Sequence, residues 1–184
     1  MVKKVLSLLL YIACTTASLA QSKSQWVDSL FRQMSVEEKI GQLFMQEVNL
    51  YKPEESSQSL HNIKNHHLGG LIITAGSALQ SKKLISEFQK ASTTPLLIGL
   101  DAEWGAGKTL DSTFSFPKPL ILSATDDSTF TKAAAALARQ LKSLGINMNM
   151  APNARLAQAK AGDTVYYAWG NDAALVSQRL ALYI

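Results

Sequence analysis

The sequence predicts an α/β fold built on a parallel sheet, and three observations carry that expectation. Short apolar runs at Leu68 to Thr74, Pro95 to Leu100 and Ile146 to Met150 alternate with stretches of helical periodicity. The Pro95 to Leu100 run is apolar throughout, as expected of a strand covered on both faces. Strand and helix follow one another along the chain, and right-handed crossovers turn that order into a parallel sheet. Three such units can form half of a doubly wound sheet or the first three staves of an eight-stranded barrel, whose usual length is about 250 residues. Composition and periodicity do not choose between the two.

Taken in order, Met1 to Ala20 is set apart by Lys3 and Lys4 followed by an apolar or small run that ends Ser18-Leu19-Ala20. That is the pattern of a cleaved secretory signal. The competing reading is a membrane anchor, but the apolar part is far short of the roughly 20 residues that a spanning helix needs. The expectation is an exported protein, periplasmic or extracellular, with no stable membrane anchor. Cys14 raises a lipoprotein as a minor alternative, against which Tyr11 stands where a lipobox would place Leu. Residues 21–184 then form one domain, long enough to bury a core.

Ser35-Val36-Glu37-Glu38 is a capping box, so a helix should begin at Val36, with Met34 stapled onto it and Ile40, Leu43 and Phe44 at helical spacing. Lys52 to Ser59 reads as a loop before a short helix at Leu60 to Asn65. Gln80 to Ala91 carries Leu84, Ile85 and Phe88 on one helical face. Ser128 to Leu144 is rich in Ala and Leu and meets Gly145, a favourable residue just past a helix end. Asn171 to Ile184 should be a further helix.

Charge excludes more than it suggests. The chain has 18 Lys and Arg against 14 Asp and Glu; setting aside Lys3 and Lys4 leaves a formal charge of only +2. Basic residues are not interleaved with aromatics, so nucleic acid is not an expected partner. Cys14 is the only cysteine, so the remainder must rely on its apolar core rather than disulfides. His61, His66 and His67 lack carboxylates or cysteines at ligand spacing and read as residues near a helix C-terminus, with no metal and no cofactor expected. Met148 and Met150 alternate with Asn147 and Asn149 and read as core. Ser35 and Ser112 have no identifiable histidine partner.

Ala102-Glu-Trp-Gly-Ala-Gly-Lys108-Thr109 nearly spells a phosphate-binding loop. Such a loop must open directly into a helix, because the phosphate is held by free amides at the helix N-terminus. The following Leu-Asp-Ser-Thr-Phe-Ser-Phe-Pro-Lys-Pro119 cannot supply one. Asp101 and Glu103 would also set carboxylates beside a polyanion. Nucleotide binding is therefore only a remote alternative.

The stronger candidate site is the end of the second run, with Asp101, Glu103, Trp104 and Lys108. In a parallel β/α fold the C-terminal strand ends face the ligand, where carboxylates can accept hydroxyl hydrogen bonds and an aromatic ring can stack on a sugar. The competing reading is an acidic, solvated surface loop.

LFRQMSVEEKIGQLFM, LGGLIIT, PLLIGLDAEWGAGKTLDSTFSFPKPLILSATDD and ARQLKSLGINMNMAP together resemble the opening of glycoside hydrolase family 3, over nearly all of residues 21–184. The style is that of β-N-acetylhexosaminidase-like barrel domains secreted by Bacteroidetes. The third block, with Asp101-x-Glu103-x-Gly105 followed by Phe116-Pro117, is the specific one. The resemblance implies the N-terminal portion of a TIM (β/α)8 barrel, a β-glycoside ligand such as one containing N-acetylglucosamine, and an Asp101 that binds sugar hydroxyls. It also implies departures. Thr109, Arg155 and Tyr167 stand where similar proteins carry arginine, aspartate and arginine. The family's nucleophile and proton donor lie on later strands, and no residue here matches either. Two readings follow: part of a β-N-acetylhexosaminidase-like glycosidase, inactive by itself, or a degenerate non-catalytic carbohydrate-binding or scaffold domain. Either would pair with a C-terminal barrel half or self-associate.

Overall fold

The structure is a computed structural model and describes residues 22–157 and 166–184. The expected signal at 1–20, with Cys14, lies outside the described residues. The chain divides into two units, residues up to Lys39 and residues from Ile40 to Ile184.

In the first unit, helix α1 (Lys23–Gln33) opens on a capping box. The Gln25 amide donates to Ser22 Oγ at 3.2 Å, and the Ser22 amide to Gln25 Oε1 at 3.0 Å. Helix α2 (Val36–Gly41) starts where Ser35 and Glu38 predict, with the reciprocal bonds at 3.1 and 2.8 Å.

The second unit corrects the extent of α2. The helix ends at Gly41, and Leu43 and Phe44 lie outside it and are exposed. The backbone is crowded here: a Cβ on Gly41 would fall 2.0 Å from the carbonyl oxygen of His66. The Gly41 carbonyl accepts the amides of Phe44 and Gly69, both at 3.1 Å, so the chain turns rather than continuing the helix. It enters strand β1 (Met45–Asn49). The expected loop at Lys52 to Ser59 is also mostly helix, because Pro53 stands at the first helical position with Glu54 and Glu55 in the first turn of α3 (Pro53–His66).

Strand β2 (Gly70–Ser77), helix α4 (Ala78–Ala91) and strand β3 (Leu97–Leu100) follow as expected. Beyond them come β4 (Leu110–Asp111), the short α5 (Pro119–Ser123), α6 (Asp127–Ser143), β5 (Met148–Asn149) and α7 (Ala173–Tyr183). All strand pairs are parallel, in the order β1-β2-β3-β5, with β4 on the C-terminal end of β2. The sheet therefore has one full-length strand more than the three expected. Among the described residues β2 and β3 are interior, and β1 and β5 are the edges.

The sheet's two faces differ. Leu71, Ile73, Ile98 and Leu100 are fully buried, in one cluster with Ile63 of α3, Ile85 and Phe88 of α4, and Leu137 and Leu141 of α6. Val48 of β1 joins them, and Gln46 is tied to α3 through Ser59 and Asn62. The alternate positions, Glu47, Ile72, Leu97, Met148 and Met150, are exposed or half-buried. The register Leu71↔Ile98 and Ile73↔Leu100 sets Ile98 and Leu100 on the covered face. The open face carries Ile72, Leu97 and Met148, with Met150 47% exposed, so these methionines are not core in this chain.

Asn147 and Asn149 bind β5 to β3 with their side chains. Asn147 Oδ1 accepts the Ile98 amide at 2.7 Å and its Nδ2 donates to the Leu96 carbonyl at 2.9 Å. A second cluster, Leu122, Phe130, Trp169 and Val176, joins α5, α6 and α7.

Candidate functional site

The C-terminal end of β3 delivers Asp101 directly into a loop that is pinned at every turn. Its side chain is 52% exposed, whereas Glu103 two residues on is 9% exposed. A short 3-10 turn at Ala106–Lys108 brings Lys108 back over both. Lys108 Nζ donates to Asp101 Oδ2 and, at 3.2 Å, to Glu103 Oε2. Burial by itself would lower the pKa of the Lys108 ammonium, but the hydrogen bonds to Asp101 and Glu103 outweigh it and hold the group above the ordinary lysine value. The same ammonium lies 4.8 Å from the centre of the Trp104 ring, a cation–π distance. The four residues predicted from sequence are therefore in one place. The loop after Lys108 enters β4 and not a helix, which removes the phosphate-loop reading.

The loop owes its shape to backbone contacts. Thr109 Oγ1 donates to the Asp101 carbonyl at 2.8 Å, and the Phe116 amide to the Trp104 carbonyl at 2.7 Å. Gln140 of α6 is buried; it accepts the Ala106 amide at 2.9 Å and donates to Thr113 Oγ1 and the Phe114 carbonyl. Gly105 has φ 98°, and a Cβ there would meet Phe116 at 2.9 Å, so both conformation and space call for glycine.

From below, Asn149 Oδ1 accepts the Ala102 amide at 3.2 Å, and Asn149 Nδ2 donates to Tyr183 Oη at 3.2 Å. Tyr183 in turn donates to the Glu103 carbonyl at 3.2 Å. Burial pushes the Tyr183 phenol up to about 12. Gln140, Asn149 and Tyr183 escape sequence reading because each reaches the loop from a different element, 34 to 81 positions away.

One expectation needs correcting. Trp104 does not present a free ring. It packs against Tyr167 with ring centres 5.2 Å apart and planes tilted by 37°. Tyr167 thus forms the second wall of the site, a role hidden in the sequence, where it only marks a departure from a motif. It is held there by its neighbour Trp169, which is fully buried against Phe130 and Tyr183. Lys118 lies 4.7 Å from the Tyr167 ring centre and 5.9 Å from that of Tyr166. Arg155 is exposed on its loop.

Of the histidines, His61 lies within α3. His66 closes α3, and His67 caps it in the left-handed conformation at φ 54°. Among the described residues, no three His, Cys, Asp or Glu side chains are grouped to hold a metal, and no helix is long and apolar enough to cross a membrane.

Comparison with known proteins bears on the family and the fold. The family model described as glycosyl hydrolase family 3 N terminal domain matches residues 35–184. A β-N-acetylglucosaminidase/β-glucosidase of Cellulomonas fimi is 28% identical over 128 residues, which is 69% of this chain and 22% of that protein. Among solved structures, a β-N-acetylhexosaminidase from Beutenbergia cavernae superposes with a TM-score of 0.71 at 22% identity, covering 82% of this chain and 49% of its own. NagZ from Neisseria gonorrhoeae, in complex with N-trifluoroacetyl-D-glucosamine, gives a TM-score of 0.59 at 21% identity, over 75% of this chain and 45% of its own. The chain spans about a fifth of the length of the curated relative and about half that of these solved structures. Likeness at this identity bears on the fold, the N-terminal portion of a (β/α)8 barrel.

Proposed function

Because the chain belongs to the glycosyl hydrolase family 3 N-terminal domain family, and is therefore glycoside hydrolase-like, we propose that it supplies the sugar-binding part of a barrel that hydrolyses terminal β-linked N-acetylhexosamine or a related β-glycoside. The observation that supports this is Asp101, a half-exposed carboxylate at the C-terminal end of β3, oriented by Lys108. Its free oxygen positions can accept two sugar hydroxyls while Lys108 donates to a third polar group. Glu103, nearly enclosed, fixes Lys108 rather than meeting the sugar.

Hydrolysis with retention needs a nucleophilic carboxylate and a proton donor about 5–5.5 Å apart across the bond to be cut. Asp101 and Glu103 both engage the Lys108 ammonium, and the resemblance matches neither of them to the family's nucleophile or proton donor. We assign neither to those roles, and expect residues 21–184 alone to be inactive. We also propose that residues 1–20 direct export.

A second reading, a non-catalytic carbohydrate-binding or scaffold domain, draws support from Tyr167, which fills with an aromatic wall a place where similar proteins carry arginine. One titration separates sugar binding from chemistry. Methyl N-acetyl-β-D-glucosaminide should bind the purified chain, Asp101→Ala should abolish binding, and a chromogenic N-acetylglucosaminide should not be turned over. Binding indifferent to Asp101→Ala would overturn the site, and turnover abolished by Asp101→Ala would overturn the assignment of chemistry elsewhere.

A further inference from the structure

Three buried leucines stand at the C-terminal end of the sheet, and each is followed by an exposed side chain. Leu50, Leu100 and Leu110 belong to the helix-covered core. Tyr51, Asp101 and Asp111 come next, Tyr51 being 49% exposed and the Asp101 side chain 52%. Successive side chains of an extended chain alternate between faces, so Asp101 and Asp111 leave the core on the side away from the helices. Tyr51, just past β1, joins them there, its hydroxyl donating to Asp111 Oδ2 at 2.6 Å. The spacing follows from the register. Val48, Ile73 and Leu100 form one row across β1, β2 and β3, and strands two apart in a sheet are separated by about 10 Å. From the other direction, Thr109 Oγ1 donates to the Asp101 carbonyl at 2.8 Å. Two extended residues, about 7 Å, then lead from Thr109 to Asp111. The Tyr51 ring therefore stands beside Asp101 at the reach of a disaccharide.

We propose that Tyr51, tethered by Asp111, forms a second sugar subsite, so that the chain prefers a β-linked disaccharide to a single sugar. This rests on the sugar-binding reading above. The terminal sugar meets Asp101, and the sugar next to it lays its apolar face on the Tyr51 ring. A carboxylate has about four acceptor sites and the Tyr51 hydroxyl uses one, which leaves Asp111 able to accept a hydroxyl of the same sugar. The tether also holds the ring in place before the ligand arrives, which lowers the ordering cost of binding.

The test compares binding of methyl N-acetyl-β-D-glucosaminide with that of the methyl β-glycosides of the β-1,3-, β-1,4- and β-1,6-linked N-acetylglucosamine disaccharides. The proteins are the full chain, Tyr51→Ala, Tyr51→Phe and Asp101→Ala, and the quantity read is the ratio of disaccharide to monosaccharide affinity. For at least one linkage the full chain should favour the disaccharide by about fivefold. Tyr51→Ala should bring that ratio to about one, whereas Tyr51→Phe, which keeps the ring and loses the tether, should retain a preference. A ratio near one for every linkage in the full chain, a preference that survives Tyr51→Ala, or one lost as completely in Tyr51→Phe would overturn the inference. Monosaccharide binding lost in Asp101→Ala would still uphold the sugar site in each of those cases. Absence of binding by every glycoside would overturn both.

Discussion

At the scale of single residues, Lys108 carries the local electrostatics. Removing it as Lys108→Met leaves the Glu103 carboxylate buried without its partner, while Asp101 can turn to water. An orphaned buried acceptor costs about 1–3 kcal/mol, more when charged, so the variant should lose roughly that in chemical denaturation and should bind sugar more weakly. Lys108→Arg should recover much of the stability. The pH dependence follows from two raised groups. A group whose folded pKa lies above its unfolded value contributes stability at lower pH and loses it as pH rises through the folded value. Lys108 is raised from 10.5, and Tyr183 from 10.0 to about 12. Stability should therefore hold up to about pH 10 and fall between there and pH 12. Tyr183→Phe should flatten part of that fall, by roughly 2 kcal/mol across the window. A melt equally stable at pH 8 and pH 11.5 would contradict the assignment. At this scale the sequence is informative where neighbours are close in the chain: Asp101, Glu103, Trp104 and Lys108 sit within eight positions and meet in space. Tyr167 is some 60 positions from Trp104, and nothing in its local sequence states which ring it will face.

At the scale of elements, the misread segments share a cause. Met45-Gln-Glu-Val-Asn49 is an edge strand with Gln46 turned to polar groups of α3 and Glu47 on the open face, so it lacks the apolar signature that marks β2 and β3. Pro53 and the acidic pair after it look like a loop by composition but begin a helix by position. The capping box at Ser35 and the Gly145 ending, by contrast, state their geometry locally and are legible in sequence. The junction of α2, β1 and β2 offers a sharp test. A Cβ on Gly69 would lie 2.1 Å from the Gln42 carbonyl oxygen, backbone that cannot step aside cheaply, whereas one on Gly99 would meet nothing nearer than Met150 Sδ at 3.4 Å. Gly69→Ala should destabilise by about 1–3 kcal/mol or fail to fold. Gly99→Ala should change stability little. Equal effects in thermal melts would show that the close approach at Gly69 is not real.

At the scale of the whole molecule, the Ile40–Ile184 unit is a sheet of parallel strands with one face covered by helices and the other open. Ile72, Leu97, Met148 and Met150 lie on the open face, where a closed barrel would set opposing strands. Leaving such a side chain in water forgoes roughly 1.5–3 kcal/mol, so the chain alone should self-associate or bind a hydrophobic dye. Concentration-independent monomer in sedimentation, without dye binding, would contradict this. The parallel α/β class was legible from the alternation of runs, and the barrel only from the resemblance, because the curvature that separates a barrel from a doubly wound sheet has no local signature. What joins the three scales is the claim that this open sheet positions Asp101 as a sugar ligand at the end of β3. The measurement that tests it most directly is a crystal structure of the chain with methyl N-acetyl-β-D-glucosaminide. The prediction is sugar hydroxyls within hydrogen-bond distance of the Asp101 carboxylate and the ring beside Tyr167. A sugar bound elsewhere, with the Asp101 carboxylate still engaged only by Lys108, would contradict it.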